Sequence, residues 1–501
     1  MASQQRQRSR SASLTKPAVW LYNESGIASV YDTGRDACLV ILSRTCRMFA
    51  FGAVSLTIAL FFAELGFSDF QIGLFMSLTL LGDVVLGLAL TLMADGLGRR
   101  RVMLAGGLLM AVSGGVFFIF ENFWVLLIAA VVGVVSASGG DFGPFRAIEE
   151  SMLSHITTPK TRAHVLSWYI TCSSLGSAVG TELAGRFVHV LKERKGWDLV
   201  RAYHATFLIY IVMGAMNMVF AFLMSRKCEI EKKPTESPDE SAQGLLDESV
   251  QQDDDCVSHG QPSPVQRDAP KKSAGRFSQI SSATRSAMYK LWFLLAIDSL
   301  ADGMVNQTLT NYFLDRKFHL SKAALGDIMS TAMILATVST VFAGPLCNYL
   351  GLLNTMVFTH IPSSAAVLLF PAPSGLVLTI ILLYIRMGLN NMDQAPRAAF
   401  IAAIVKPDER TAVMGITSTL RTLAMTVGPS FTGILAGSER FWIAFVVGGA
   451  LRLVYDVGLW AMFVNMRLHV HETASQDSAP PSGLDDEEAV PLETEPRNQH
   501  S

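Results

Sequence analysis

Four ionisable residues sit in runs where water is hard to replace. Asp298 and Asp302 are four positions apart in a long apolar run, so on a helix they share one face, which Asn306 continues. Arg386 and Arg421 fall in the middle of two later apolar runs. A charge at the centre of a membrane helix costs about 2.5–3.5 kcal/mol on insertion scales, so such groups face a cavity or a partner. Two acids and two bases at similar depth admit two readings. In one they form a charge-paired site, where an Asp takes up a proton while an Arg meets an anionic group of a solute. In the other they are a structural ion-pair network that holds helices together. Asp83 stands alone in an earlier run, as a partner for another helix or as part of a conformational switch. Glu182 lies in a Gly-rich run, beyond its midpoint. It is a proton-coupling candidate or a hydrogen-bond partner of a neighbouring helix. Arg452 and Asp456, four apart in the last run, read as a self-neutralised structural pair.

Other chemistries have no support in the sequence. There is no P-loop, so ATP-driven transport is not expected. No metal-ligand cluster and no nucleophile motif occurs, so neither a metal, a cofactor nor enzymatic activity is expected. The six cysteines include no CxxC pair and read as small buried thiols. A net charge of -2 gives no reason to expect a nucleic-acid partner.

The elements that must carry these residues follow from composition. Of 501 residues, 50% are hydrophobic and only 16% are charged, with a mean hydropathy of +0.36. A soluble domain carries about 25% charge, so a lipid bilayer must surround much of this chain. A membrane helix needs about 20 apolar residues. That length is met near 39–62, 70–93, 102–120, 123–154, 163–189 and 203–225, and again near 289–313, 321–347, 352–371, 375–400, 411–437 and 441–466. The fold class is an all-α membrane protein of about twelve transmembrane helices in two six-helix bundles, spanning 37–225 and 289–468. The segment 226–288 is rich in Pro, Ser and charge. It reads as a disordered linker, with 1–36 and 469–501 as disordered tails. The basic, Ser-rich start has no apolar stretch close behind it, so no cleaved secretory signal is expected.

Arg99, Arg100 and Arg101 follow the second span, and Lys160 and Arg162 follow the fourth. Both loops fall on the side of the tails and linker, which places that side in the cytoplasm. Lys192, Arg194, Lys195 and Arg201 disagree, partly offset by Glu193 and Asp198. The sequon Asn306-Gln307-Thr308 lies at a span's interior and is expected to be unused.

The two sets are copies. Asp141-Phe-Gly-Pro144-Phe-Arg146 in the fourth span corresponds to Asp393-Gln-Ala-Pro396-Arg397. Pro159-Lys-Thr-Arg162 corresponds to Pro407-Asp-Glu-Arg410, and Leu183-Ala184-Gly185 to Leu435-Ala436-Gly437. Parallel halves of this kind hold a substrate between them.

On these residues the chain resembles the major facilitator superfamily over nearly all its length apart from tails and linker. The family's loop signature, Gly-x-x-x-Asp-Arg-x-Gly-Arg-Arg, is matched at Asp95, Gly98, Arg99 and Arg100, and departed from at Thr91 and Gly96. The fifth span also resembles the family's Gly-rich antiporter signature through Gly176 and Gly180, with Thr181 where Pro is expected. The resemblance implies a cytoplasmic gate of ion pairs drawn from Asp95, Arg99, Arg100, Arg146, Glu149, Glu150 and Arg162, with Asp393 and Arg397 as the second-half counterpart. It implies a monomeric secondary transporter of a small organic solute, coupled to protons, working by alternating access. The rival readings are a facilitative uniporter and a non-transporting membrane receptor or scaffold that kept the fold. A plasma-membrane or a vacuolar or other internal location fits equally, with cytoplasmic termini.

Overall fold

The computed structural model describes residues 26–135, 145–229, 282–405 and 410–464. Each set of spans forms a helical bundle. The first contains α1 (Ile27–Thr33), α2 (Arg35–Glu64), α3 (Asp69–Leu97), α4 (Arg99–Ile119), α5 (Phe123–Val132), α6 (Phe145–Ile156), α7 (Pro159–Lys195) and α8 (Leu199–Leu223). The second contains α9 (Ser282–Met304), α10 (Gln307–Phe318), α11 (Lys322–Leu350), α12 (Leu352–Leu369), α13 (Leu376–Asn390), α14 (Gln394–Ile404), α15 (Arg410–Gly437) and α16 (Phe441–Phe463).

Among the described helices, 8 are long and apolar enough to cross a membrane. The long helices α7, α9 and α15 fall outside that set because they carry the polar load. α7 and α15 pack across to the other bundle, and α9 holds Asp298 and Asp302. A helix buried among other helices can be more polar than one that faces lipid.

Several boundaries differ from the sequence expectation. Residues 27–33, placed in a disordered tail, form α1, which packs on α7. The linker expected over 226–288 begins with an ordered 3-10 turn, Arg226–Cys228, whose Cys228 is buried. It ends at Ser282, where α9 starts several residues early. Polar composition hid the 3-10 turn, whose ends are held by the carboxylates of Asp36 and Glu229. The fourth span shows α5 and α6 on either side of 136–144, which lie outside the described residues together with Asp141 and Pro144.

Two interruptions shape the second bundle. The seventh span is broken at Val305–Asn306 between α9 and α10. Asn306 is the N-cap of α10, its side chain accepting from Leu309 N at 2.9 Å. Asn306 is buried, so its sequon is inaccessible in this fold. The tenth span is broken by a 3-10 turn, Asn391–Asp393, before α14. Pro396 has no N–H to give to a preceding carbonyl, so it suits the first turn of a new helix.

The bundles meet at the end remote from the linker, here the far end. α3 packs on α15 and α7 on α11 through glycines. A Cβ at Gly433 would stand 2.6 Å from Asp69 O, and one at Gly185 would stand 2.5 Å from Lys322 O. Gly73 and Gly326 complete these two crossings. Gly176 and Gly180 serve the same purpose within the first bundle, against α2. Polar contacts between the bundles follow the same end. Tyr312 Oη donates to Asp69 at 2.6 Å, Arg316 pairs with Asp69 at 2.7 Å, and Arg186 pairs with Asp327 at 2.9 Å.

A larger residue at a crossing should prevent this closure. Gly433→Leu forces overpacking that costs the closed far end about 1–3 kcal/mol, enough to shift a two-state population about fivefold or more. Spin labels at Ser68→Cys and Ser438→Cys should report a longer distance in the variant. An unchanged distribution would show that the glycine crossing does not set closure.

Candidate functional site

The second bundle encloses a charge network. Asp298 on α9 is fully buried. Four cationic or ionisable groups surround it: Arg397 at 3.6 Å, Arg452 at 3.8 Å, Arg421 at 3.9 Å and His360 Nε2 at 3.9 Å. Neither carboxylate oxygen of Asp298 accepts a direct hydrogen bond. It is held by the summed field of its neighbours, which is strong where the local dielectric is low.

Those neighbours have their own anchors. Arg397 donates to Asp393 one turn earlier and lies over the Tyr455 ring, 5.8 Å from its centroid. Arg452 donates to Asn390 and pairs with Asp302 at 3.0 Å. Arg421 donates to Ser299 Oγ at 3.2 Å. His360 Nδ1 lies 2.6 Å from Asp456, to which Ser364 also donates at 2.7 Å. His360 Nε2 lies 3.2 Å from Arg452 Nη2. Arg452 can only donate, so these partners suit a neutral ring protonated on Nδ1. The acids Asp298, Asp302, Asp393 and Asp456 thus face the bases Arg397, Arg421 and Arg452. Two members are the most exposed: the side chain of Asp302 is 24% accessible and that of Arg421 is 30%.

Arg386 serves a separate purpose. Its guanidinium donates to Val305 O, and to Thr310 Oγ1 at 2.9 Å. It therefore covers the carbonyl end of α9 at the helix break, where the backbone lacks helical partners and the dipole is negative. The break and Arg386 satisfy each other, so the seventh span can be discontinuous at mid-depth.

The sequence expectations are partly regrouped. Asp298, Asp302 and Arg421 do come together, while Arg386 does not pair with either Asp. Arg452 and Asp456 are not a self-neutralised pair. Each turns to a different helix, Arg452 to α9 and Asp456 to α12. His360 was missed, and a lone His in the apolar run 352–371 was the available signal. Glu182 does not stand alone: it pairs with Arg186, accepts from Ser330 at 2.9 Å across the bundle interface, and belongs to the far-end seal. Asp83 is buried and has no hydrogen bond or ion pair among the described residues.

The expected gate residues bond within their own bundles. Glu149 is fully buried, pairs with Arg47 and with Arg44 at 3.5 Å, and accepts from Tyr169 Oη at 2.9 Å. Arg44 and Arg47, two bases three apart inside the first span, were legible and overlooked. Arg146 pairs with Glu150 at 2.7 Å. Arg162 donates to Ser154 O at 3.0 Å, and Arg100 to Phe222 O at 3.1 Å. Arg99 is buried beside Gly98, whose φ is 95°. The Asp95 side chain lies outside the described residues.

The buried and exposed acids of the network should behave differently. Asp298→Asn takes the shared carboxylate from Arg397, Arg421 and Arg452, leaves Arg421 with no carboxylate within 4 Å among the described residues, and should destabilise by about 3–5 kcal/mol. Asp302→Asn, partly accessible and sharing Arg452 with other partners, should cost about 1 kcal/mol or less. Unfolding of the purified protein in detergent measures both. Equal costs would mean that Asp298 is not the charge centre.

With this geometry in view, comparisons with known proteins place the chain. A family model described as Major Facilitator Superfamily matches residues 40–283 and 291–493. YJR124C, an uncharacterized membrane protein of Saccharomyces cerevisiae, is 32% identical over 439 residues, covering 86% of this chain and 95% of that protein. The solved nucleoside transporter NupG superposes with a TM-score of 0.62 at 13% identity, over 86% of this chain and 99% of NupG. A D-xylose-proton symporter gives 0.60 at 10% identity, over 85% of this chain and 97% of that one. These two likenesses speak for the fold. The family model runs through both bundles, and the chain belongs to the Major Facilitator Superfamily.

Proposed function

We propose that this protein is a secondary active transporter of a small organic solute, coupled to protons and working by alternating access. The observation that carries the reading is that one acid, Asp302, and one base, Arg421, are the partly accessible members of an otherwise buried network. Arg421 meets an anionic or strongly polar group of the solute. Asp302 takes up and releases the proton. Its exchange partner is Arg452, which keeps Asp298 and Asn390 when Asp302 becomes neutral. Asp83, buried without a hydrogen-bond or ion-pair partner among the described residues, is a second candidate for the proton.

In this reading the structure is the state closed at the far end, with the linker end cytoplasmic. The far-end seal of Glu182, Arg186, Asp327 and Ser330 opens when the bundles rock. The set comprising Asp95, Arg99, Arg100, Arg146, Glu149, Glu150, Arg162, Asp393 and Arg397 then closes the opposite end. A discontinuous helix at mid-depth supports a site there, because helices broken in this way line substrate and ion sites in transporters.

The test is uptake into proteoliposomes. Nucleosides, sugars, amino acids, peptides and organic anions are screened with and without an imposed pH gradient. A proton-coupled carrier accumulates its solute only with the gradient. Asp302→Asn should lose accumulation at least about tenfold, equivalent to about 1.4 kcal/mol of coupling free energy, and retain solute exchange at equal concentrations. Uptake indifferent to the gradient would make the protein a facilitative carrier. No uptake of any class would leave a receptor or scaffold built on the transporter fold.

A further inference from the structure

At the linker end, a groove of about 1370 Å³ opens beside α4 and α8. Its charged residues are divided in an unusual way. Its two carboxylates are both engaged by the backbone. Asp36 accepts from Ser225 N at 2.9 Å and from the Ser225 hydroxyl. Glu229 accepts from Arg99 N at 2.7 Å and Arg100 N at 3.1 Å, capping the start of α4. Its exposed cations Arg35, Arg101, Arg226 and Lys227 have no carboxylate partner among the described residues. The acids that could have neutralised this cluster instead build it.

The clamp from Ser225 to Glu229 fixes the position of the cations. Asp36 and Glu229 hold its two ends. Between them Cys228 is fully buried, which turns Arg226 and Lys227 outward on the 3-10 turn. Burial, with the Asp36 charge adding, pushes the Cys228 thiol up to about 12, so it is inert while the clamp holds.

The groove also has an apolar border. Leu97, Leu104 and Phe222 are exposed at its rim. From Leu104 the exposed stripe continues along α4 through Leu108 and Val112, and from Phe222 along α8 through Val219 and Val212. An acidic peptide would satisfy the cations alone. A membrane lipid satisfies both parts, with its phosphate at the cations and its acyl chains on the stripes.

We propose that this groove binds an anionic glycerophospholipid of the leaflet at the linker end. Binding ties α2, α4 and the end of α8 into one unit on the perimeter of the first bundle, away from the network in the second. The proposal stands apart from the transport reading.

The purified full chain is titrated in mixed micelles with phosphatidylserine or phosphatidylcholine, and its melting temperature is followed. Phosphatidylserine should stabilise selectively. In Arg35→Gln/Arg101→Gln/Arg226→Gln/Lys227→Gln, half-saturation should require about tenfold more phosphatidylserine. Cys228 should stay unlabelled by maleimide in that variant, which would show that the clamp is intact. Equal stabilisation by the two lipids, or an unchanged titration in the variant, overturns the proposal. A third variant, Asp253→Asn/Asp254→Asn/Asp255→Asn, tests the acidic part of the linker as the occupant. If it tightens phosphatidylserine binding about tenfold, the linker holds the groove and the lipid is not its resident ligand.

Discussion

Asp298 is fully buried and accepts no hydrogen bond from the described residues, so its charge is met by groups that other helices bring to it. Arg397 arrives from α14, Arg421 from α15 and Arg452 from α16, and the His360 ring from α12 packs beside them. Five helices of the second bundle are therefore tied at one point, at the depth where the seventh span breaks. The arrangement is expensive to dismantle, because removing any one member strands charge in a low-dielectric interior. It is also inexpensive to adjust. A carboxylate 3.6–3.9 Å from several cations and bonded to none can exchange emphasis among them over small helix shifts. Asp298 is the point where the helices are tied, and Asp302 and Arg421 at its margin are its partly accessible neighbours.

The first bundle solves the same problem with the opposite sign. Its first span, α2, supplies the bases Arg44 and Arg47, and its fourth span supplies the acid Glu149 on α6. In the second bundle the first span supplies the acid Asp298 and the interrupted fourth supplies the base Arg397. Aromatic rings accompany both, with Arg44 over Tyr169 at 4.6 Å and Arg397 over Tyr455 at 5.8 Å. The duplicated fold thus preserves the place of a buried ion pair while inverting its polarity. The inversion makes the halves electrostatically unlike.

Much of the architecture was legible because it follows from area. Runs of about 20 apolar residues, two matched sets and a polar stretch between them required no geometry to recognise. The depth of Asp298, Asp302 and Arg421 was legible for the same reason. Partner choice was not. Arg452 and Asp456 are four apart, which on an isolated helix makes them a pair. In a bundle their long or directed side chains reach α9 and α12 instead, because those helices carry charges of higher need. Arg386 looked like a counterion and is a helix-end cap, since nothing in the run 289–313 but Asn306 marks the break it covers. That Asn is the kind of residue that starts a helix, and its place inside an apolar run was the only written trace of the interruption. The ordered edges of the linker were hidden because Asp36 and Glu229 act on backbone groups far away in sequence.

The two ends of the molecule differ in what holds them, and that difference bears on how it can move. At the far end the bundles approach through glycine, where backbone meets backbone and contact is lost entirely once the crossing separates. Packing of this kind behaves as closed or open, with little between. The polar seal there is partly exposed and shared: Arg186 serves both Glu182 and Asp327, so screening weakens it and no member is stranded in apolar surroundings when it opens. The charges of the buried networks, by contrast, remain within a bundle whichever way the bundles lean. Separating the bundles at the far end therefore requires no desolvated ion pair to be broken in the sealed interior. The energetic demand of such a separation falls on the glycine crossings and on the polar seal beside them.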